Sequence, residues 1–526
     1  PFLLMDVPPN NGLPDPRGWV GQPSFPWRGR ITVTHDKTAS ARTEIDAFVG
    51  ADGGFGFRHF ILHHARLAMQ AGGVDTILIG SEMIGLTRVR DDQGRFPFVE
   101  ALQTIAAEVR AIVGADTKIS YAADWTEYGA YAPGDGSRDV LFPLDALWAS
   151  DDVDFVGVDW YPPMGDWRDG TDHLDALAGY SGADAADYLL SQLAGGEAYD
   201  WYYGSEADRD AQVRRPIIDG ASAEHWVFRA KDLAGWWGAD HYPRPGGTRA
   251  ATPSAWRAGL KPVRLIEIGI PAVDKGTNAP NVFVDPKSSE SALPFYSNGT
   301  RDDLIQRRAL AAALPYWQAL PFIERVLVWA WDGRPWPDFP ARDTVWSDGA
   351  NWQFGHWLNG RTSLVELADL VEDLGQQAGA ALDVSGLNGV VDGYAVEGIT
   401  SLASALSPLT LAFDFQVRES ASGLVAQNHA YVAEMTLDDA REMDGTRREL
   451  HTVSQDTPSA VALTYISGEF SYQPGMVEYR DPTANRDLVS RVALPLVLTE
   501  GRARILAETI YQQSLAENIL RLNVAP

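Results

Sequence analysis

The sequence predicts an α/β protein, a (β/α)8 TIM-barrel-like domain followed by a separate α+β domain. Three observations carry this. Short apolar runs recur that end in Asp, Glu, Trp or Tyr, and they are continuous rather than alternating, the pattern of strands buried on both faces of a parallel sheet. Helical periodicity fills several gaps between them, and alternation of strand and helix argues for an α/β architecture. The 18 tryptophans are frequent up to residue 357 and absent after it, so composition changes where a second domain would begin. Acidic and aromatic strand ends favour a barrel over an open sheet, because barrel sites form at the C-terminal ends of the strands.

Six segments have this strand format: "FLLMD" (2–6), "TILIGSE" (76–82), "KISYAADW" (118–125), "VDFVGVDWY" (153–161), "VRLIEIG" (263–269) and "VLVWAWD" (326–332). If the first is barrel strand three, two strands lie upstream of residue 1, and the chain is expected to be a piece of a longer protein. Helices are predicted over 57–73, closed by Gly-Gly, and over 98–114, where Val99, Leu102, Ile105, Val109 and Ile112 fall on one face. A third is predicted over 301–320, with a break near Pro315. Between the fourth and fifth segments, residues 162–262 exceed any ordinary βα connection. This aromatic-rich insertion reads equally as a wall over the site or as a packed subdomain.

The barrel domain is placed at 1–360 and the second domain at 361–526. In the second, Ser363 and Glu366 have capping-box spacing before a helix over 363–379. Leu411, Phe413, Phe415 and Val417 alternate like a strand that turns at "SASG" into a hairpin, and a further helix is predicted over 499–520.

The formal charge of −28 argues against nucleic acid or anionic membrane as a partner held by a general basic field. With no cysteine, disulfides, thiolate metal sites and cysteine nucleophiles are excluded. No apolar run reaches the length of a membrane span, and "PFLLMDVPP" lacks the basic start of a signal peptide.

Two glutamates stand out. Glu82 and Glu267 end strands that, three positions apart in a barrel, face each other across its mouth. Such a pair suits glycosidic bond cleavage with retention when the carboxyls are about 5–5.5 Å apart, one as acid/base and one as nucleophile. Tyr161 is placed to donate a hydrogen bond to Glu267, and Trp331 offers a stacking face for a sugar. Asp124, Trp125, Asp159 and Asp332, and less strongly Asp6, sit at strand ends where they could bind hydroxyls. This chemistry needs no metal and no organic cofactor. His59 and His63 share a helix face four residues apart, but no third ligand is evident. "NGT" (298–300) matches a glycosylation sequon, a pattern common by chance.

Beyond these residues, "PFLLMDVPPNNGLPDP", "QPSFPWRGRIT", "ILIGSEMIGLT", "FVGVDWYPPMGDWRDG" and "WSDGANWQFGHWLNGR" resemble the TIM-barrel-like domain of gene transfer agent and related phage tail proteins. The resemblance covers roughly residues 1–360, and residues from about 361 resemble the phage tail hub domain that follows it. It implies a glycoside-hydrolase-like barrel on a baseplate hub in the distal tail of a phage-like particle made in the bacterial cytoplasm. It also implies a homotrimer, other tail and baseplate proteins as partners, and a cell-surface polysaccharide or peptidoglycan as target. "LIEIGIP" resembles the nucleophile strand of the large two-glutamate barrel clan, with Glu267 in the nucleophile place. That clan carries Asn directly before the acid/base, where this sequence has Ser81. An active glycosidase, a non-catalytic receptor-binding barrel and a purely architectural module all remain open at this level.

Overall fold

The structure is a computed structural model. It describes residues 26–521, apart from 221, 286, 287, 289, 347, 363, 397, 422, 429–447, 452–457, 469–471, 484–486 and 516–517. The expected first strand at 2–6, with Asp6, lies outside the described residues. The chain divides into two compact units, Pro1–Gly333 with Arg342–Leu358, and Arg334–Ala341 with Asn359–Pro526.

The first unit is built on five parallel strands paired in chain order: β1 (Thr76–Ser81), β2 (Lys118–Asp124), β3 (Val156–Trp160), β4 (Val263–Ile268) and β5 (Ile323–Val328). They correspond to five of the six expected segments. Every residue of β3 is buried, as is all of β2 after Lys118, which explains their unbroken apolar runs. In β5, Glu324, Arg325 and Leu327 are exposed, and among the described residues this strand pairs with β4 alone. The expected last strand, 326–332, is shifted: β5 begins at Ile323 opposite Val263 and ends at Val328.

Helices α1 (Ala39–Val49), α2 (Phe57–Gln70), α3 (Pro97–Val113) and α4 (Asp303–Gln318) belong to this unit. Proline opens α3 at a position with no N–H to lose, and Gly114 closes it at φ +77°. Leu102, Ile105 and Val109 on its inner face are fully buried, each contributing about 1.5–3 kcal/mol relative to exposure. No break occurs at Pro315, where α4 runs on to Gln318: the missing N–H removes one bond, but the proline carbonyl still accepts from Ala319.

The insertion is packed into this core. His241 is fully buried, with the rings of Phe142, Trp226, Trp236 and Trp256 at 4.7, 5.1, 5.1 and 5.6 Å. Its Nδ1 lies 3.0 Å from the Asp145 carboxylate, to which Ser254 also donates, and its Nε2 lies 2.9 Å from the Trp236 carbonyl. Lys231, also buried, donates to the carbonyls of Pro163 and Gly195, and loss of solvent pulls its ammonium down to about 7.

The second unit contains α5 (Leu367–Gln377), α6 (Leu402–Phe413), α7 (Glu500–Ser514) and two three-stranded sheets. In one sheet the hairpin β7 (Phe415–Ser420) and β8 (Gly423–Asn428) is extended by β6 (Leu382–Gly386), parallel to β8. In the other, β9 (Ala460–Ser467) pairs antiparallel with β10 (Pro474–Arg480) and parallel with β11 (Val489–Leu498). The hairpin is where the alternation placed it, but Leu411 and Phe413 belong to α6, and Asp414 at φ +48° separates helix from strand. The expected capping box does not form: Val365–Glu366 pairs with Val390–Val391, so α5 starts at Leu367 with no side-chain cap, and Ser363 lies outside the described residues. Helix α7 ends at Ser514 rather than 520, and Asn518–Arg521 pairs with Arg448–His451. Among the described residues, no helix is long and apolar enough to cross a membrane.

Gly157 is a point of close approach in the parallel sheet. A Cβ there would lie 2.5 Å from the Tyr121 carbonyl oxygen of β2. Every tryptophan except Trp336 belongs to the first unit, so tryptophan fluorescence follows chiefly that unit. Gly157→Ala is expected to lower the urea stability read by that signal by about 1–3 kcal/mol.

Candidate functional site

The strand ends carry four carboxyl groups, and each is held differently. Glu82 is the first residue after β1 and adopts φ +52°, uncommon for a side chain with a Cβ. The surroundings enforce this turn. Glu82 N–H donates to the Ala122 carbonyl at 2.8 Å, and Met83 N–H donates to the Tyr121 hydroxyl at 2.6 Å. The Glu82 carboxylate accepts from Trp27 Nε1 at 2.8 Å and has the Arg28 guanidinium at 3.5 Å.

Glu267 lies on β4, where parallel pairing puts it beside Asp159 of β3. It accepts from the Tyr161 hydroxyl at 2.8 Å. Burial, followed by the nearby Glu82 charge, pushes Glu267 up to about 7, although the Tyr161 bond acts the other way. Asp159 is fully buried. Its Oδ2 accepts from Ser81 Oγ at 3.0 Å, and its buried Oδ1 has no hydrogen-bond partner. Burial and the charges of Glu267 and Glu82 raise its carboxyl well above the ordinary range.

Asp124 closes β2. Burial pushes it up to about 6 against the hydrogen bonds it accepts from Thr126 N–H at 2.8 Å and Thr126 Oγ1 at 2.5 Å. Its own N–H donates to Glu127 Oε2 at 3.0 Å. Glu127 is buried and also accepts from Thr87 Oγ1 at 2.6 Å and the Tyr121 hydroxyl at 2.9 Å. Burial raises it to about 7. Tyr121 and Glu127 together therefore anchor the turns that carry Glu82 and Asp124.

Glu82, Asp124, Tyr161 and Glu267 line one cavity of about 380 Å³. Trp27 and Arg28 close it on one side; Asn281, Val282, Phe283, Ser288 and Glu290, from the connection after β4, line it with Trp329 and His356. Gly269 lets the loops after β4 and β5 meet, since a Cβ there would lie 2.6 Å from the Trp329 carbonyl oxygen. Among the described residues, none of the insertion lines this cavity, and a wall comes from the connection after β4 instead.

Trp331 and Asp332 depart from expectation. Because β5 ends at Val328, it is Trp329 that lines the cavity; Trp331 stands 65% exposed outside it, and Asp332 accepts from Trp357 Nε1 at 3.0 Å. Trp125 faces a neighbouring cavity. His59 accepts from Gly53 N–H at 2.9 Å and lies 3.2 Å from Asp52. Among the described residues, no group of three or more His, Asp or Glu side chains could hold a metal ion. Sequence reasoning missed Trp27, Arg28, Trp329, His356 and Glu127. The first two stand in the motif "QPSFPWRGRIT", but nothing local indicates that they meet a residue 55 positions away.

The model of the gene transfer agent TIM-barrel-like domain matches residues 55–340. The chain belongs to that family. The model of a phage tail protein family matches residues 401–526, and together the two matches make the chain a virion tail component of gene transfer agent or phage type. Among solved structures it is similar to a chain of the native gene transfer agent virion, at 27% identity and TM-score 0.31, covering 33% of this chain and 41% of that one. The GH113 β-mannanase AaManA from Alicyclobacillus acidocaldarius is similar at 15% identity and TM-score 0.25, over 57% of this chain and 55% of that one. A tail protein from Neisseria meningitidis MC58 is similar at 13% identity and TM-score 0.24, over 30% and 51%. The chain spans only about half or less of these relatives' lengths. No curated protein matches it.

Buried carboxyls with raised values make stability depend on pH in a defined direction. The folded protein keeps protons on Asp124, Glu127 and Glu267 that the unfolded chain releases near pH 4, so stability falls as pH rises through about 6–7. Urea unfolding followed by tryptophan fluorescence is expected to give a lower stability at pH 8 than at pH 5. Glu127→Gln costs stability at pH 5 but makes the fall between the two pH values shallower.

Proposed function

We propose that the barrel is the glycan-engaging part of a tail tip, binding a cell-envelope polysaccharide or peptidoglycan and cutting a glycosidic bond with retention. The observation that carries this reading is that Glu82 and Glu267 line one cavity, with Tyr161 bonded to Glu267 and the Glu82 charge acting on Glu267. In this reading Glu82 protonates the leaving oxygen while Glu267 attacks the anomeric carbon. Water activated by Glu82 then releases the glycosyl-enzyme.

The electrostatics define what glycan entry must change. Burial and the Glu82 charge favour the protonated form of Glu267. Trp27 and Arg28 meanwhile hold the oxygen of Glu82 that a leaving group would need. A glycan oxygen that replaces these contacts gives the leaving group access to Glu82, while the Tyr161 hydroxyl favours the charged form of Glu267. Asp124 is positioned to bind hydroxyls and Trp329 to offer an aromatic face. The C-terminal unit joins the barrel to the hub, and a homotrimer around the tail axis with other baseplate proteins as neighbours is the assembly the resemblance implies.

A second reading, a barrel that binds glycan without cutting it, is favoured by two observations. Trp27 and Arg28 already engage Glu82, and Ser81 is turned to Asp159. A screen of envelope glycans on the full chain separates the readings. With catalysis, Glu82→Gln and Glu267→Gln each lower kcat by about 10²–10⁴-fold. If wild type cuts nothing and particles carrying either variant transfer DNA normally, catalysis is excluded.

The ionisation of Glu267 predicts a kcat/KM that rises with pH towards about 7. Tyr161→Phe removes a bond that favours the charged form, so this limb should move up by about one pH unit.

A further inference from the structure

The two-glutamate cleft holds an arginine whose donors the fold leaves almost unused. Arg28 lines the cavity beside Glu82, and its side chain is 40% exposed. Its guanidinium lies 3.5 Å from Glu82 Oε2. Among the described residues it forms no hydrogen bond and no second ion pair. Arg30, two residues on, differs: its Nε and Nη2 donate to the two carboxylate oxygens of Glu290.

Glu82 does not depend on Arg28. The same oxygen already accepts from Trp27 Nε1 at 2.8 Å. An ion pair this long and this exposed contributes little to the fold, so the guanidinium is readily drawn to another partner. Arginine presents a planar fork of N–H donors that meets a carboxylate in two parallel hydrogen bonds. The partner that fits is a carboxylate brought by the ligand.

The position of Arg28 says where on a glycan that carboxylate belongs. In the retaining reading Glu82 protonates the oxygen of the leaving sugar, so Arg28 flanks the leaving unit. A substituent on the ring carbon next to that oxygen comes within reach of a guanidinium so close to Glu82. The other carboxyls of the lining, Asp124, Glu267 and Glu290, make the rest of the cavity unfavourable to an anion. One acidic unit is therefore accepted, on the leaving side, with a neutral unit across the bond.

We propose that Arg28 determines specificity by binding the carboxylate of the leaving sugar, so that the barrel selects glycans in which acidic and neutral units alternate and cuts at the anomeric carbon of the neutral unit. This rests on the retaining reading of the cleft. In a strand of alternating N-acetylglucosamine and N-acetylmuramic acid, the lactyl carboxylate on O3 of the muramic unit stands beside the O4 that leaves. The bond between that O4 and C1 of N-acetylglucosamine breaks. O4 takes the proton from Glu82, and the oxygen of water ends on C1. Moving to the carboxylate also takes Arg28 off the Glu82 oxygen that the leaving group needs, so recognition and cleavage are coupled.

Calorimetric titration of the full chain at pH 7 tests it. The probes are a tetrasaccharide of that repeat freed of stem peptides, its carboxyl methyl ester, a hyaluronan tetrasaccharide, tetragalacturonate and chitotetraose. Wild type is expected to bind the acid about tenfold tighter than the ester. Arg28→Gln binds both with the Kd of the ester, Arg28→Lys keeps part of the preference, and Arg66→Gln, at a surface ion pair with Asp52, keeps all of it. The ratio of acid to ester is internal to each protein, so a partly unfolded variant does not imitate the result. Tetragalacturonate, with a carboxylate on every unit, binds more weakly than the ester. Borohydride reduction of the cleaved tetrasaccharide yields N-acetylglucosaminitol at the new end. Binding of the hyaluronan probe that depends on Arg28 supports the contact and names a uronic acid as the source of the carboxylate. Equal affinity for acid and ester, with no dependence of the hyaluronan probe on Arg28, overturns the proposal. So does a preference that survives in Arg28→Gln, or a new reducing end on N-acetylmuramic acid. If wild type is indifferent to the carboxylate, cleavage of chitotetraose or of the ester shows whether the retaining reading stands without it.

Discussion

A fully buried carboxyl and a partly buried one, set side by side, constrain everything around them. The pairing of β3 with β4 sets Asp159 against Glu267, and in a parallel sheet paired residues point to the same face. Neighbouring carboxyls cannot both ionise cheaply in a dry environment, so at least one proton is retained. The surroundings compensate unequally: Tyr161 donates to Glu267, Ser81 donates to one oxygen of Asp159, and the other Asp159 oxygen is unmet. A slip of one residue in this pairing would turn one of the two groups to the opposite face.

The remaining parts of the site follow from this pair. Glu82 must stand near Glu267 without being a direct strand partner, and it does so by leaving β1 in a left-handed turn. Tyr121 pins that turn, and its hydroxyl also donates to Glu127, which in turn receives the Asp124 N–H. One buried tyrosine thus couples the ends of β1 and β2. On the outer side, Arg28 approaches Glu82 while Arg30 pairs with Glu290 of the connection after β4. Gly85 lets the same segment lie close, since a Cβ there would sit 2.4 Å from the Ile31 carbonyl oxygen. The segment from Trp27 to Ile31 is therefore fastened at three places around the cavity.

Much of this was legible in the sequence because strands buried on both faces are written as unbroken apolar runs. The ends of β1, β2, β3 and β4, with Glu82, Asp124, Asp159, Tyr161 and Glu267, fall where those runs stop. The exposed strand misled: in "VLVWAWD" the aromatic residues extend the apolar run, but β5 is placed by its pairing with β4, and Trp329 rather than Trp331 meets the cavity. Leu411 and Phe413 alternate like strand residues yet complete α6, since short apolar runs do not distinguish the two periods. Trp27, Arg28 and Glu127 were missed for another reason. Their meaning lies in contacts with distant residues or in burial, and local pattern carries neither.

The burial of the carboxyls also bears on the choice between cutting and holding a glycan. A barrel that only held sugar hydroxyls could do so with amides, which hydrogen-bond well and carry no desolvated charge. A scaffold would gain more from apolar residues of similar volume, since well-packed hydrophobic replacements of buried ionic groups are often neutral or stabilising. Here the opposite arrangement is kept: Asp159 and Glu267 are adjacent and shielded, with Glu82 near enough to raise both. In the proposed catalytic reading this arrangement serves proton transfer between carboxyls, which needs groups whose ionisation depends on each other and on what enters the cleft.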